Sequence, residues 1–552
     1  MYSAYDPQLG FYYYGEEEPR SGMYREYIGC HPKLITVDTE TISLKERVVI
    51  GVGIAVNPRI SFYFPLFPEP CSMVPWELLR NPYVTKIFHN APFDLVCMQE
   101  WNMDNTNILD TNIIAHLLNV KPSRLIDVVS AMAAEGGRLP EVHQISEYIG
   151  KETKRTTLDV PTEVMAKKCC QDAIATYQVY EHFSPRVDME YLKVEMEVIS
   201  ILTEMSFRGI KLDQEARGEL ESSLEQEVEY YLTMAEGEGF SPSSPQQVGY
   251  VLAKRGAYSV FKRLPWTNSR RTQLSTNVEV LNKMDDPMAA LVLDYRGRSK
   301  LLNTYIKPWK GEKRAYTRFH LDGITGRPSS TERNMQNIPK GAPRGIFIPE
   351  NTMFTDVDFQ QIELRVLAEI SGDREMQTIL NDPKGDIHQA TADFLNIPRY
   401  PSKSVNFAMI YGATDETIME TAKIRSLDRA RRLKEAWFDR YREAGDWIQL
   451  QQRHGLEDPY VTTLYGRKIM LPTLDEESEG AIQRKAVNYP IQASAAEIVK
   501  RGMIKCKDLL MLLQIHDEIL IDGFVPKERF EVLEHISPLW TPVSVKYLQR
   551  WE

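Results

Sequence analysis

Cysteine is scarce in this chain: six in 552 residues, Cys30, Cys71, Cys97, Cys169, Cys170 and Cys506. None forms a C-x-x-C pair and no histidine pair lies beside them, which speaks against a disulfide framework or a zinc site and for reduced thiols. Long apolar runs are missing too; none approaches the roughly 18 residues of a membrane span. The acidic, Tyr-rich start has no signal-peptide core, so a cytoplasmic protein without a membrane partner is expected. Net positive charge is also absent, 66 Lys and Arg against 77 Asp and Glu giving −11. At face value that argues against nucleic-acid binding, since phosphate contacts need basic side chains. No internal repeat or low-complexity segment stands out. What remains is an ordinary globular composition, 43% hydrophobic and 26% charged, in a chain long enough for about three or four domains.

The basic residues are, however, locally concentrated. Lys254, Arg255, Lys262, Arg263, Arg270 and Arg271 fall in one stretch, followed by Arg296, Arg298, Lys300, Lys307, Lys310, Lys313 and Arg314. Each could be a solvated helix face; together they could grip a duplex. Two acidic segments carry more. Asp358, in TDVDFQQIELR, and Asp517, in LLQIHDEIL, each end an apolar run that alternates like a strand. Two carboxylates on strands can meet across a sheet and hold divalent cations for phosphoryl transfer, although turn chemistry explains either one alone. Glu518, next to Asp517, would face the other side of such a strand and play a lesser role.

Residues 31–190 have the pattern of a separate α/β unit. Strands are expected near 32–38, 48–56 and 84–88, and helices near 111–118 and 161–183. Asp38 and Glu40, in DTET, alternate by two and share one strand face; with Asp94 in HNAPFD and Asp172 in QDAIATY they would make a four-carboxylate site. Ser184-Pro185 should break the last helix. Further on, Lys403, Phe407 and Tyr411 are spaced for one helix face, which could equally be core packing. Pro401 is expected to leave Arg399 in the turn before that helix.

Four long segments in order carry a family resemblance. DFQQIELRVLAEISGD is similar to the first palm motif of the family A DNA polymerases, KSVNFAMIYG to the second and QIHDEIL to the third, while TGRPSSTERNMQNIP resembles a further family segment upstream. The N-terminal unit resembles the 3′–5′ proofreading exonuclease of the same family. The resemblance implies an α/β and α+β multidomain fold, an RNase H-like exonuclease followed by a right-hand polymerase. Its expected parts are a tail over 1–30, the exonuclease over 31–190, palm entry and thumb over 191–320, palm over 321–372, fingers over 373–480 and palm again over 481–552. The chain lacks room for the 5′ nuclease of larger bacterial relatives and resembles compact bacteriophage forms, which would work in a host cytoplasm.

The resemblance also implies roles. Asp358, the Phe359 carbonyl and Asp517 would hold two Mg2+, with Mn2+ as a substitute, and Asp38, Glu40, Asp94 and Asp172 would hold two more; Glu518 joins the catalytic set. Gln361, Glu363, His388, Arg399, Lys403, Phe407 and Tyr411 would surround the incoming dNTP, Glu363 as the gate against a ribose 2′ hydroxyl. Arg327, Asn334, Gln336, Asn337, Arg484, Asn488, Gln492 and His516 would face primer–template DNA. A monomer is expected. One departure stands out: Lys168 occupies the place, four residues before Asp172, where the family usually has a tyrosine that orients water. Ala408 replaces a frequent glycine. A single-subunit RNA polymerase would lack the gate glutamate, a dedicated nuclease would leave the palm motifs unexplained, and a nonenzymatic DNA-binding protein would not need the carboxylates.

Overall fold

The computed structural model describes every residue except 1, 7–9, 18–19, 21, 44–47, 102, 104–105, 138–144, 146–147, 150–154, 262, 268–271, 423 and 425. Lys262, Arg270 and Arg271 of the basic stretch therefore lie outside the described residues. No helix among the described residues is long and apolar enough to cross a membrane.

Among the described residues, seven strands form the N-terminal sheet, in the order Tyr2–Asp6, Phe11–Gly15, Ile60–Pro65, Val49–Asn57, Leu34–Thr41, Thr85–Phe88, Ile108–Asp110. The strand Leu34–Thr41 is central, antiparallel to Val49–Asn57 and parallel to Thr85–Phe88. Residues 1–30, expected to be a tail, instead supply two strands of this sheet. The reason lies in FYYYG itself: Phe11, Tyr13 and Tyr14 are buried, and aromatic residues suit a pleated, half-buried surface. The Tyr14 hydroxyl also accepts from Gln171 Nε2 at 2.8 Å.

The 22-residue helix Thr162–Phe183 lies across the sheet. It comes unusually close because Gly53 faces it: a Cβ at Gly53 would sit 2.8 Å from Cys169 Sγ and 2.9 Å from the Cys169 carbonyl. Gly53 pairs with Asp38 across the sheet, so this close approach is centred on the acidic strand. After the expected break at Ser184-Pro185, Asp188 caps the helix Met189–Arg208, accepting from Glu190 N at 2.9 Å and Tyr191 N at 3.2 Å.

A second sheet anchors the C-terminal half. Its four antiparallel strands run in the order Met511–Ile515, Glu518–Asp522, Phe354–Phe359, Val543–Leu548. The 27-residue helix Glu479–Lys505 packs on it, and Gly502 leaves room for the buried Phe359 ring, whose Cζ would be 2.7 Å from an added Cβ. Helices Ile387–Leu395, Arg399–Ile410, Leu427–Arg440 and Arg442–Glu457 form a neighbouring group. A third group pairs Gln214–Gly237 with Pro287–Lys300, the latter continuing as a π-helical turn over Leu301–Ile306.

The basic stretch in that third group does not present itself as an open cationic row. Arg255 pairs with Asp286 at 3.0 Å, Arg298 with Glu227 at 2.9 Å, Lys307 with Glu225 at 2.9 Å and Arg314 with Glu350 at 2.7 Å. Arg296 points inward to the Thr276 carbonyl. Lys254, Arg263, Lys300 and Lys313 are exposed. The acidic surplus that sets the net charge thus neutralises much of the concentration seen in the sequence.

The two halves interlock. Lys500 and Glu195 form a buried ion pair at 2.7 Å, and the Tyr191 hydroxyl donates to Glu497. The hairpin formed by Tyr460–Thr462 and Lys468–Met470, expected among the fingers, docks on the N-terminal unit: Asn119 donates to the Lys468 carbonyl and accepts from Met470 N, both at 3.1 Å.

Candidate functional site

Asp358 sits in the strand Phe354–Phe359, directly opposite Glu518 on the neighbouring strand. Directly paired residues share a sheet face, so Glu518 lies beside Asp358, not behind it as strand alternation from Asp517 suggested. The error came from placing Asp517 in a strand. Asp517 instead belongs to the two-residue turn His516-Asp517 between Met511–Ile515 and Glu518–Asp522, with His516 in the left-handed region at φ 56°. The Asp517 carbonyl accepts from Phe359 N at 3.0 Å, which ties the turn to the end of the Asp358 strand.

Negative charge accumulates on this face. Burial, then Asp517 and Glu518, pushes the Asp358 carboxyl up to about 6; burial and Glu363 raise that of Asp517. Asp356, two residues before Asp358 and on the same face, was missed in the sequence. Burial and Glu518 push it to about 7, and it pairs across the sheet with Lys546. The alternation rule applied to Asp38 and Glu40 would have found it in TDVDF. Glu518 is flanked by Arg344 at 3.7 Å and accepts from Trp551 Nε1 at 3.4 Å. Hard carboxylate oxygens, crowded and largely buried, fit a divalent cation such as Mg2+.

Next to this cluster begins the helix Ile362–Ser371, with Gln361 as its first cap at φ 53°. Glu363 in its first turn is buried and held from two sides, by the Tyr411 hydroxyl at 2.9 Å and by the Arg327 guanidinium. Arg327, expected to face DNA, is therefore engaged with Glu363 in this structure. Asn334 and Gln336 are likewise occupied: Asn334 Oδ1 accepts from Ser330 Oγ at 2.9 Å and caps the turn Met335–Asn337, while Gln336 Nε2 donates to the Pro328 and Gln514 carbonyls at 3.0 Å each. Asn337 and His516 are exposed.

Arg399 starts the helix Arg399–Ile410, against the expectation from Pro401. Pro398 caps the helix and Pro401 falls in its first turn, where a missing N–H costs no intrahelical bond. Arg399 reaches Asp386 at 2.7 Å. Lys403, Phe407 and Tyr411 line one face of this helix: Lys403 Nζ is 6.0 Å from the Phe407 ring centre, and the Phe407 and Tyr411 rings stack at 6.4 Å. That face borders a cleft of about 780 Å3, whose other wall carries Arg484 and Asn488. Gln492 continues the row, donating to Asn488 at 3.2 Å.

His388 stands 6.0 Å from Phe407, ring centre to ring centre, and its state is fixed by a relay that the sequence did not reveal. Trp437 Nε1 can only donate, and donates to Asn406 Oδ1 at 2.8 Å. The Asn406 amide nitrogen, 3.0 Å from His388 Nδ1, must then donate there. His388 is thereby held neutral with its proton on Nε2, and burial lowers its pKa to about 4.

In the N-terminal unit, Asp38 and Glu40 project from the central strand toward the helix carrying Lys168 and Asp172. Lys168 Nζ lies 2.5 Å from Glu40 Oε1 and 2.9 Å from Asp172 Oδ2. Burial works against the ammonium, but Asp172, Glu40 and Asp38 outweigh it and hold its pKa well above the usual value. Asp94, from the helix Ala91–Cys97, is buried and accepts from Thr39 Oγ1 at 2.6 Å and Thr39 N at 3.1 Å; burial raises it to about 7. Asp38 Oδ2 is buried with no hydrogen-bond partner among the described residues, the state of a carboxylate oxygen that a cation would satisfy. Cys169 Sγ falls within the same group; burial raises its pKa, and it packs beside Gly53 and donates to the Asp38 carbonyl at 3.4 Å. Asp110, also missed, is structural: it accepts from Asn90 N and Ala91 N, at 2.9 and 2.8 Å, and from Asn112 N at 2.8 Å, capping two helices.

Comparison with known proteins agrees with this two-part plan. The family model for 3′–5′ exonuclease matches residues 25–188. DNA polymerase I of Chloroflexus aurantiacus is 30% identical over 90% of this chain and 57% of its own length, and that of Bacillus subtilis 31% identical over 92% and 61%. The chain thus spans about three fifths of these relatives. The fold matches a solved structure described as the POL domain of Pol1 from M. smegmatis in complex with DNA primer-template and dNTP, at TM-score 0.77 and 24% identity, over 97% of this chain and 98% of that one. A mixed α/β exonuclease domain followed by a polymerase domain is therefore the architecture. Since the family model for DNA polymerase family A matches residues 211–538, more than half of the chain, the protein belongs to that family.

Proposed function

We propose that the chain is a template-directed DNA polymerase that adds dNTPs to a primer 3′ end, with a 3′–5′ proofreading exonuclease in its N-terminal unit and Mg2+ or Mn2+ at both sites. The observation that carries this reading is the strand register that sets Asp358 beside Glu518 and ties it to the Asp517 turn, next to the Glu363–Tyr411 hydrogen bond. Asp358 and Asp517 would hold the cations, with the Phe359 carbonyl following directly in the chain. When bound, the cations lower the pKa of a primer hydroxyl and neutralise the triphosphate and leaving pyrophosphate.

The chain's own residues do the rest. Lys403 and Arg399 bring positive charge to the triphosphate, and the Nε2–H of His388 donates toward it. Phe407 and Tyr411 offer a flat surface to the base. Glu363, clamped by Tyr411 and Arg327, fills the space of a ribose 2′ hydroxyl, and Phe407 lacks the hydroxyl that would replace a missing 3′ hydroxyl, so dNTPs are preferred over rNTPs and dideoxynucleotides. Arg484, Asn488 and Gln492 present a polar face suited to any DNA sequence.

Primer extension with dNTPs or rNTPs, with and without template, tests the reading. Templated dNTP addition is expected, reduced by about 10³-fold or more in Asp358→Ala; normal extension by that variant refutes the assignment. A second reading, an exonuclease unit retained only as scaffold, is favoured by the Lys168 ion pairs alone. Trimming of a mismatched primer without nucleotides separates the two, against an Asp38→Ala, Glu40→Ala control.

A further inference from the structure

The exonuclease pocket already contains a cation. Lys168 Nζ bridges Glu40 and Asp172 at 2.5 and 2.9 Å, with the three side chains only 21%, 8% and 12% exposed. Those are distances of charge-assisted hydrogen bonds, and the arrangement is built. Lys168 and Asp172 are one helical turn apart, so both point to the same side, and Gly53 lets that helix settle onto the acidic strand. A divalent ion shared by Glu40 and Asp172 would have to stand where the ammonium stands, against like charge in a water-poor site. Asp38 is left outside this bridge, with its Oδ2 unsatisfied.

We propose that Lys168 is a built-in replacement for one divalent cation: its ammonium occupies the place between Glu40 and Asp172, and the exonuclease pocket binds a single divalent ion, on Asp38. This rests on the metal-dependent nuclease reading of the pocket. It makes Lys168 a positioning residue that keeps Glu40 and Asp172 in place without metal, and it gives the departure from the family's tyrosine a physical role.

The test counts bound Mn2+ by electron paramagnetic resonance in the full chain, with the polymerase site silenced by Asp358→Asn and Asp517→Asn. In that background, Asp38→Asn sets the baseline. With Lys168 present, one Mn2+ above baseline is expected. Lys168→Met, which keeps the length and removes the charge, gains a second ion, whereas Lys168→Arg, which keeps the charge, does not. Two ions bound with Lys168 in place overturn the inference whatever the variants do, as does a count and affinity left unchanged, within threefold, by Lys168→Met. No Mn2+ above baseline in any of these proteins overturns the metal reading of the pocket and this inference with it, while an unaltered count above baseline overturns this inference alone.

Discussion

Trp437 has one polar atom and it can only donate, and the consequence passes through Asn406 to His388, whose free Nε2–H is then directed rather than chosen by chance. Trp437→Phe is expected to release this tautomer. Selective 15N labelling should show His388 protonated on Nε2 alone in the parent and as a mixture in the variant. The depressed pKa has a signed effect on stability. The unfolded chain takes up the proton near 6.5 and the folded one only near 4, so the contribution of His388 is fully present above pH 6.5 and is lost as pH falls from 6.5 to 4. Titration of His388 near its ordinary value in the folded protein would contradict the relay. Glu363 is the second residue on which much rests. Its truncation to Ala removes the filled volume and leaves Arg327 and Tyr411 without their partner, so discrimination against rNTPs should fall by roughly 10- to 200-fold. Unchanged competition between dATP and ATP in primer extension would remove Glu363 from the gate.

At the scale of elements, close approach decides which acids meet. The helix Thr162–Phe183 reaches Asp38 and Glu40 because the opposing strand carries Gly53 where any Cβ would strike Cys169. Gly53→Ala is expected to cost about 1–3 kcal/mol of stability in the N-terminal unit and to slow 3′-end trimming, with templated extension unaffected. Denaturation followed together with both activities checks this; trimming at the parent rate would show that the helix can shift without moving Lys168 and Asp172. The turn His516-Asp517 works differently. Its two-residue length fixes the register of the flanking strands, and register alone brings Glu518 level with Asp358.

Across the whole molecule, the N-terminal and C-terminal halves are joined by polar groups that neither half could leave buried alone. Lys500 and Glu195 are 1% and 4% exposed, and burial lowers the Lys500 pKa while Glu195 opposes that shift. Removing one partner strands the other: Lys500→Met should cost about 3–5 kcal/mol, with most recovered by the double change Glu195→Leu, Lys500→Met. Urea denaturation of the three proteins measures this, and near-additive losses would show that the pair is not coupled. Arg467, which reaches His116 Nε2 at 2.7 Å, and Asn119 tie the same junction to the N-terminal unit.

The sequence alone determined the family, the order of the units and the identity of nearly every acidic residue in the two clusters, because those depend on local motifs and on period-two or period-four spacing. DTET, TDVDF and KSVNFAMIYG can be interpreted without knowing what lies opposite. Whatever depends on partners distant in the chain could not be. Asp517 lies in a turn because strand pairing ends at Ile515 and resumes at Glu518. FYYYG becomes a strand because the edge of a sheet built from residues 60–65 was there to receive it. Arg327 and Gln336, polar residues that looked free to face DNA, are engaged by Glu363 and by the Pro328 and Gln514 carbonyls. Lys168 shows the division most plainly. The sequence marks it as a departure, but only the packing of its helix on Gly53 makes its ammonium the cation between Glu40 and Asp172, since the Coulomb attraction that fixes it acts over a few ångströms of space and 128 residues of chain.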